Sequence, residues 1–138
     1  MNIIITGASS GVGFEAVLEL CLSTRHKVIA LARSQDKLQR LLEITLGLNP
    51  DAVLYPLVFD IVHDDYAGLT DFVNTRFDGR VDILINNAGA LVNKPFTDTR
   101  EGDFIEMLQS NYIGHVRMIQ ALLPMMAAGG HILNIGSM

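Results

Sequence analysis

The run Thr6-Gly7-Ala8-Ser9-Ser10-Gly11-Val12-Gly13 places three glycines and two serines between an apolar, β-type segment and an amphipathic helical one. Such a turn exposes backbone N–H groups at a helix N-terminus, where the helix dipole favours an anion, so the chemistry it suits is phosphate or diphosphate binding. Gly7 permits the tight exit from the strand, Gly11 lets backbone approach a pyrophosphate, and Gly13 lets helix and sheet pack closely. The spacing Gly-x-x-x-Gly-x-Gly differs from Gly-x-Gly-x-x-Gly and lacks the Gly-Lys-Ser/Thr ending of a P-loop, which argues against a simple NTPase. Asp60-Ile61, Asn86-Asn87-Ala88-Gly89 and Ser137 bring further polar groups to the ends of strands, and Asn111 brings another within the fourth amphipathic stretch. Taken singly, each has a structural role open to it: Asp60 as a cap, Asn86 and Asn87 as turn formers, Asn111 as an exposed helical residue and Ser137 as part of a terminus. His26, His63, His115 and His131 share no spacing and receive no chemistry. With the single Cys21, which reads as a small buried residue, they form no metal-ligand pattern.

The elements that must position these residues follow from the apolar pattern. Short, β-branched, almost continuously apolar runs alternate with longer amphipathic stretches, the signature of buried parallel strands joined by crossover helices. The strands are expected at Asn2 to Thr6, Lys27 to Ala32, Ala52 to Phe59, Val81 to Asn86 and His131 to Ile135. The helices are expected at Val12 to Ser23, Gln35 to Gly47, Asp65 to Phe77 and Glu101 to Met126, with Gly47, Gly79 and Gly129 closing helices as C′ residues. Pro56 has no N–H for a ladder and assigns the third strand to a sheet edge. That fits the doubly wound order 3-2-1-4-5, in which strands 1 and 4 diverge and open a ligand crevice.

Length and charge narrow the function classes. With 138 residues and 49% hydrophobic composition, the chain reads as one domain over 1–138 with a real core. Ten Lys plus Arg against 15 Asp plus Glu give a net charge of −5, which lacks the cationic excess that nucleic-acid phosphates or an anionic membrane demand. The N-terminus has no basic n-region, and no apolar run reaches the ~18 residues of a membrane span, so a cytoplasmic protein is expected.

Taken together, Thr6 to Gly13, Asp60-Ile61, Asn86 to Gly89, Ser110-Asn111-Tyr112-Ile113-Gly114, Leu123-Pro124-Met125 and Ile135-Gly136-Ser137 resemble, in order, motifs of the short-chain dehydrogenases/reductases. The resemblance spans the chain. It implies an α/β, Rossmann-type, doubly wound parallel sheet of order 3-2-1-4-5, incomplete on its C-terminal side, serving as an NAD(P)-binding domain. It further implies coenzyme contacts at Thr6, Gly7, Ser9, Ser10, Gly11, Val12 and Gly13. Asp60 and Ile61 would lie against the adenine, Asn86 and Asn87 would brace the sheet and line the nicotinamide side, and Asn87, Ala88 and Gly89 would contact the coenzyme. Ser137 would bond the substrate oxygen, and Asn111 would hold a water of the proton relay.

The end of strand 2 bears on which coenzyme. Ala32 stands where an NAD-preferring relative would carry an acid, and Arg33 follows, able to grip a 2′-phosphate in a bidentate contact. Ser9 and Ser34 could add hydroxyl contacts. Arg33 also has the reading of an ordinary solvated charge. The expectation is NADP(H) in preference to NAD(H), with hydride transfer between nicotinamide and a small-molecule carbonyl or secondary alcohol. None of Tyr55, Tyr66 and Tyr112 begins the Tyr-x-x-x-Lys sequence of the family. The 138 residues therefore read as the N-terminal portion of a longer reductase or a truncation that pairs with another chain, a homo-oligomer being expected. The alternative is a catalytically silent dinucleotide-binding sensor or assembly module. Asn93 to Arg100 are a candidate wall of the substrate pocket.

Overall fold

The computed structural model describes residues 1–136. Its order is β1 (Asn2–Thr6), α1 (Gly11–Cys21), β2 (Lys27–Ala32), α2 (Gln35–Leu48), β3 (Val53–Val58), α3 (Tyr66–Phe77), β4 (Val81–Asn86), α4 (Glu101–Leu108), α5 (Gly114–Leu122) and β5 (Met126–Asn134). The five strands form one parallel sheet in the order β3-β2-β1-β4-β5. Ile4 lies opposite both Ile29 and Leu84, in the middle of the sheet. Because side chains alternate along a strand, β1 feeds two cores. Ile3 and Ile5 join Val17, Cys21, Leu38 and Leu41 beneath α1 and α2. Ile4 joins Val73, Phe77, Met118 and Leu122 beneath α3 and α5. Pro56 pairs with Ala30 on β3, which has β2 as its one neighbour, so the edge position expected from proline is the one observed.

The expected fourth helix from Glu101 to Met126 is not one element. It is α4, a π-helical turn over Gln109–Ile113, α5, and a 3₁₀ turn over Leu123–Met125. Pro124 accounts for the end: it has no N–H to continue the ladder, and the chain leaves the 3₁₀ turn directly into β5. The last strand accordingly begins at Met126 rather than His131. Its pairing jumps from Val81↔Met126 to Ile83↔His131, so the residues between are bulged out. Gly129, with φ +77, sits in that bulge and not at a helix C′ position. Gly47 likewise lies within α2, which is closed by Asn49 in extended conformation. Gly79 is different: after Asp78 in the left-handed region (φ 53) it too takes positive φ (69), ending α3 as expected. The outer side of α4 and the segment after it leaves Phe104, Ile105, Leu108 and Tyr112 exposed.

At the amino end of the sheet Asp82 ties three segments together. Its carboxylate accepts the Asn2 N–H at 2.8 Å and the Arg80 guanidinium at 3.0 and 3.1 Å. The Asn2 bond, and after it the Arg80 bond and charge, hold the carboxyl below its ordinary value of 3.8 against the effect of burial. A carboxyl depressed by folding stabilises the native state fully above its unfolded pKa and loses that contribution as pH falls through the folded value. Between about pH 6 and about pH 2, urea unfolding of Asp82→Asn should therefore show a shallower acid loss of stability than the parent chain; parallel curves would contradict the assignment.

Candidate functional site

Where the carboxyl ends of the strands face the same way, a cleft of about 560 Å³ opens across the point at which β1 and β4 diverge. Gly7, Ser9, Ser10 and Val12 enter it from the turn after β1. Arg33 and Ser34 enter after β2, Asp60 and Ile61 after β3, and Asn87, Ala88 and Gly89 after β4. Thr6, Gly11, Gly13 and Asn111 do not line the cleft; each supports or opens a residue that does. Ser137 lies outside the described residues. Asn93 to Arg100 contribute nothing to this cleft; there Lys94 pairs with Asp103 of α4 at 2.9 Å.

The glycines act by three distinct geometries. Gly7 has φ +67 and lies so close to the segment after β4 that a Cβ there would sit 2.8 Å from the Ala88 Cα. A Cβ on Gly13 would meet the Gly7 carbonyl and the Asn87 amide, so glycine there lets the first turn of α1 close on the loop. Gly11, at φ +56, has no atom within 4 Å of where a Cβ would lie, and the turn is open on that side. Ser10 occupies the N-cap of α1 without a side-chain cap bond, and the first turn carries no acid. The first turn of α1 thus brings no anion of its own to the positive end of the helix.

Thr6 joins β1 to β4. Fully buried, its Oγ1 accepts the N–H groups of Asn87 (3.0 Å) and Ala88 (2.9 Å), while Asn87 Nδ2 donates to the carbonyls of Thr6 and Gly7 at 3.1 and 3.2 Å. Asn86, also buried, donates from Nδ2 to Asn134 Oδ1 of β5 at 2.9 Å. The loop beyond is held from the helical side. Asn111 Oδ1 accepts the Ala90 N–H at 2.7 Å and its Nδ2 donates to the Ala90 carbonyl at 2.9 Å. A Cβ on Gly89 would stand 2.9 Å from the same Oδ1.

The far wall is built around Asp60. Burial pushes its carboxyl up, but the Val62 N–H at 2.8 Å, the bond and charge of His63 at 3.1 Å and the charge of Arg33 outweigh burial and lower it below the usual carboxylate value. Asp60 thus performs the local capping open to it from the sequence while also facing the cleft. Ile61 packs against Gly114, where a Cβ would come within 2.6 Å of its Cδ1. Tyr66 donates its hydroxyl to the Ile61 carbonyl at 2.8 Å; burial, opposed by Arg117 and assisted by Asp60, pushes that phenol up to about 12.

Ser34 caps α2 by accepting the Lys37 N–H at 3.4 Å, which leaves its hydroxyl proton free to donate outward. Lys37 also lines the cleft beside Arg33, and neither is among the ion pairs of the described residues. Sequence reasoning missed Lys37, although a cap at Ser34 followed three residues later by a cation was a usable signal. Leu31, Ala32, Phe59, Val62 and Ser110 complete the lining, and their neighbours Arg33, Asp60, Ile61 and Asn111 were the available pointers. Among the described residues, no group of three or more His, Cys, Asp or Glu could hold a metal, and no helix is long and apolar enough to cross a membrane.

The family model for short chain dehydrogenases matches residues 1–138. The chain belongs to that family. As a short-chain dehydrogenase it is 42% identical over 113 residues to a protein named as a probable NADP-dependent dehydrogenase of Dichelobacter nodosus, covering 80% of this chain and all of the relative. It is 33% identical to an SDR family protein 7-like dehydrogenase/reductase of Drosophila melanogaster, over 98% of this chain and 42% of that one. Serine dehydrogenase from Escherichia coli superposes on 99% of the chain with a TM-score of 0.78 and 32% identity, this chain covering 62% of that enzyme. An alcohol dehydrogenase from the archaeon Thermococcus sibiricus, complexed with 5-hydroxy-NADP, superposes on 90% with a TM-score of 0.76 and 26% identity, 52% of its own chain being covered. The chain thus spans about half the length of several of its relatives.

The Thr6 hydroxyl is the most exacting contact in the site, since valine has its shape but no acceptor. Thr6→Val would leave two part-buried N–H groups without their acceptor and should cost about 1 to 3 kcal/mol in denaturant unfolding. Thr6→Ser, which keeps the oxygen, should lose about 1 kcal/mol or less of that bond-dependent stability. Equal losses in the two variants would show that the hydroxyl is not the tie.

Proposed function

We propose that this short-chain dehydrogenase binds NADP(H) in the cleft and that the protein acts as an oxidoreductase on a small-molecule carbonyl or secondary alcohol. The observation that carries the reading is the cleft's pairing of two ends: an open glycine turn at one, and Arg33 with Lys37 beside the acid-free Ala32 at the other. The residues fit the coenzyme. The turn, at Gly7, Ser9, Ser10 and Val12, lines the cleft where a diphosphate would lie, Gly11 takes a positive φ of 56 with open space beside it, and the N-terminus of α1 supplies a positive field. Arg33, Lys37 and the hydroxyls of Ser34 and Ser9 are the proposed holders of the 2′-phosphate. An acid at Ala32 would instead accept from a ribose 2′-OH and repel that phosphate. The NADP dependence named for the Dichelobacter protein and the 5-hydroxy-NADP in the Thermococcus structure support the same choice.

Asp60 and Ile61 are proposed to receive the adenine, and Asn87, Ala88 and Gly89 to form the nicotinamide side. The coenzyme, when bound, supplies or takes up the hydride. The chain's own work is to bind and orient it and to order the polar groups around the reacting carbon. Ser137 is the proposed donor to the substrate oxygen. Asn111, whose Oδ1 and Nδ2 each serve one bond to Ala90, keeps one acceptor and one donor position for a relay water.

Fluorescence titration with NADPH and NADH tests the assignment. The chain should bind NADPH the more tightly, and Arg33→Ala should lower the NADPH-to-NADH affinity ratio by about 10-fold or more, the loss expected of a charge-assisted contact. Lys37→Ala should lower it by a smaller factor. A ratio unchanged in both variants would remove the 2′-phosphate from this end of the cleft.

A further inference from the structure

We propose that His115 is a positioning residue for the coenzyme cleft: its imidazole holds the Ala88 carbonyl and thereby fixes the wall against which the Gly7 turn is set. The inference rests on the coenzyme reading above. His115, the second residue of α5, places Nε2 2.7 Å from the Ala88 oxygen. A carbonyl oxygen only accepts, so Nε2 carries the proton of this bond. The ring is part-buried and belongs to no ion pair among the described residues.

Ala88 is held by opposite ends from opposite sides. Its N–H goes to Thr6 Oγ1 on the sheet at 2.9 Å, and its carbonyl goes to His115 on the helix. The peptide units on either side of Ala88 are thereby prevented from tilting, and its Cα lies where a Gly7 Cβ would be 2.8 Å away. Movement of Ala88 inward would strike the glycine turn; movement outward would widen the cleft beside it. Asn111 grips Ala90 two residues on, but nothing else in the side-chain bonding of this segment reaches the Ala88 oxygen. Releasing it would leave a half-buried carbonyl free to turn toward the cleft, and ordering it again would oppose coenzyme binding. The effect should fall on the diphosphate and nicotinamide side, which NADPH and NADH share, and not on the Arg33 end.

Three variants and one spectrum decide this. Long-range ¹⁵N spectra of histidine-labelled chain should show His115 as the Nε2–H tautomer; an Nδ1–H tautomer would overturn the proposal. His115→Leu should weaken NADPH and NADH alike, by about 3- to 10-fold, leaving their ratio unchanged. His115→Gln, whose amide N–H reaches about as far as Nε2, should restore most of that affinity. Melting is followed in each: affinity lost equally in Leu and Gln, or unchanged in Leu, overturns the role of His115 while parental NADPH binding preserves the coenzyme reading. Parental chain that binds neither coenzyme overturns both. Arg33→Ala, run alongside, should change the ratio that His115→Leu leaves alone.

Discussion

Where β1 and β4 separate, their crossovers depart to opposite faces of the sheet, and the backbone just past each strand end loses the neighbour that would have satisfied it. Thr6 and Asn87 answer that constraint together. One buried hydroxyl accepts two N–H groups from the residues just past β4, and one amide returns two bonds to the carbonyls of Thr6 and Gly7 at the end of β1. The same four bonds bring Asn87 close enough to Gly13 that a methyl group there is excluded. The crevice therefore exists because the strands diverge, and it keeps its shape because polar bonds, not apolar packing, span the divergence. Everything the site does depends on that seam.

The start of α5 performs a comparable service for the two outer walls. Gly114 admits Ile61, Arg117 donates from Nη1 to the Val62 carbonyl at 2.6 Å, and His115 reaches Ala88. These residues lie within one turn of the helix yet touch loops that follow two different strands. The π-helical turn just before Gly114 adds a residue to the winding and sets the rotational phase from which they project. Underneath, Met118 and Leu122 anchor α5 in the core shared with α3, so the clamp is mounted on buried apolar surface.

The positions of the first four strands and the sheet order were legible in the sequence because buried parallel strands are written as short β-branched runs and because Pro56 marks its own edge; the bulged start of β5 at Met126 was not. The glycine turn was legible for a related reason: Gly7, Gly11 and Gly13 have local causes, a positive φ or a forbidden Cβ, that spacing reports faithfully. The fourth helix was misread because its apolar period continues through Gln109–Ile113, and a π-turn leaves no compositional mark. Gly129 and Gly47 have the residue type of a helix stop without the geometry, one in a bulge and one inside α2. His115 and the Ala90 partnership of Asn111 were invisible for a stronger reason. Each bond joins residues more than 20 positions apart, and no local pattern on either side announces the other.

Pro56 has a consequence beyond placing β3. A strand approaching that flank from another molecule would find a gap in the row of donors it needs to zip onto, so the flank is a poor seed for intermolecular β-assembly. The opposite flank, along β5, has no proline in its register and keeps Ile132, Leu133 and Ile135 partly in solvent. The β3 flank is thereby a closed end of the sheet, one whose own chemistry discourages growth.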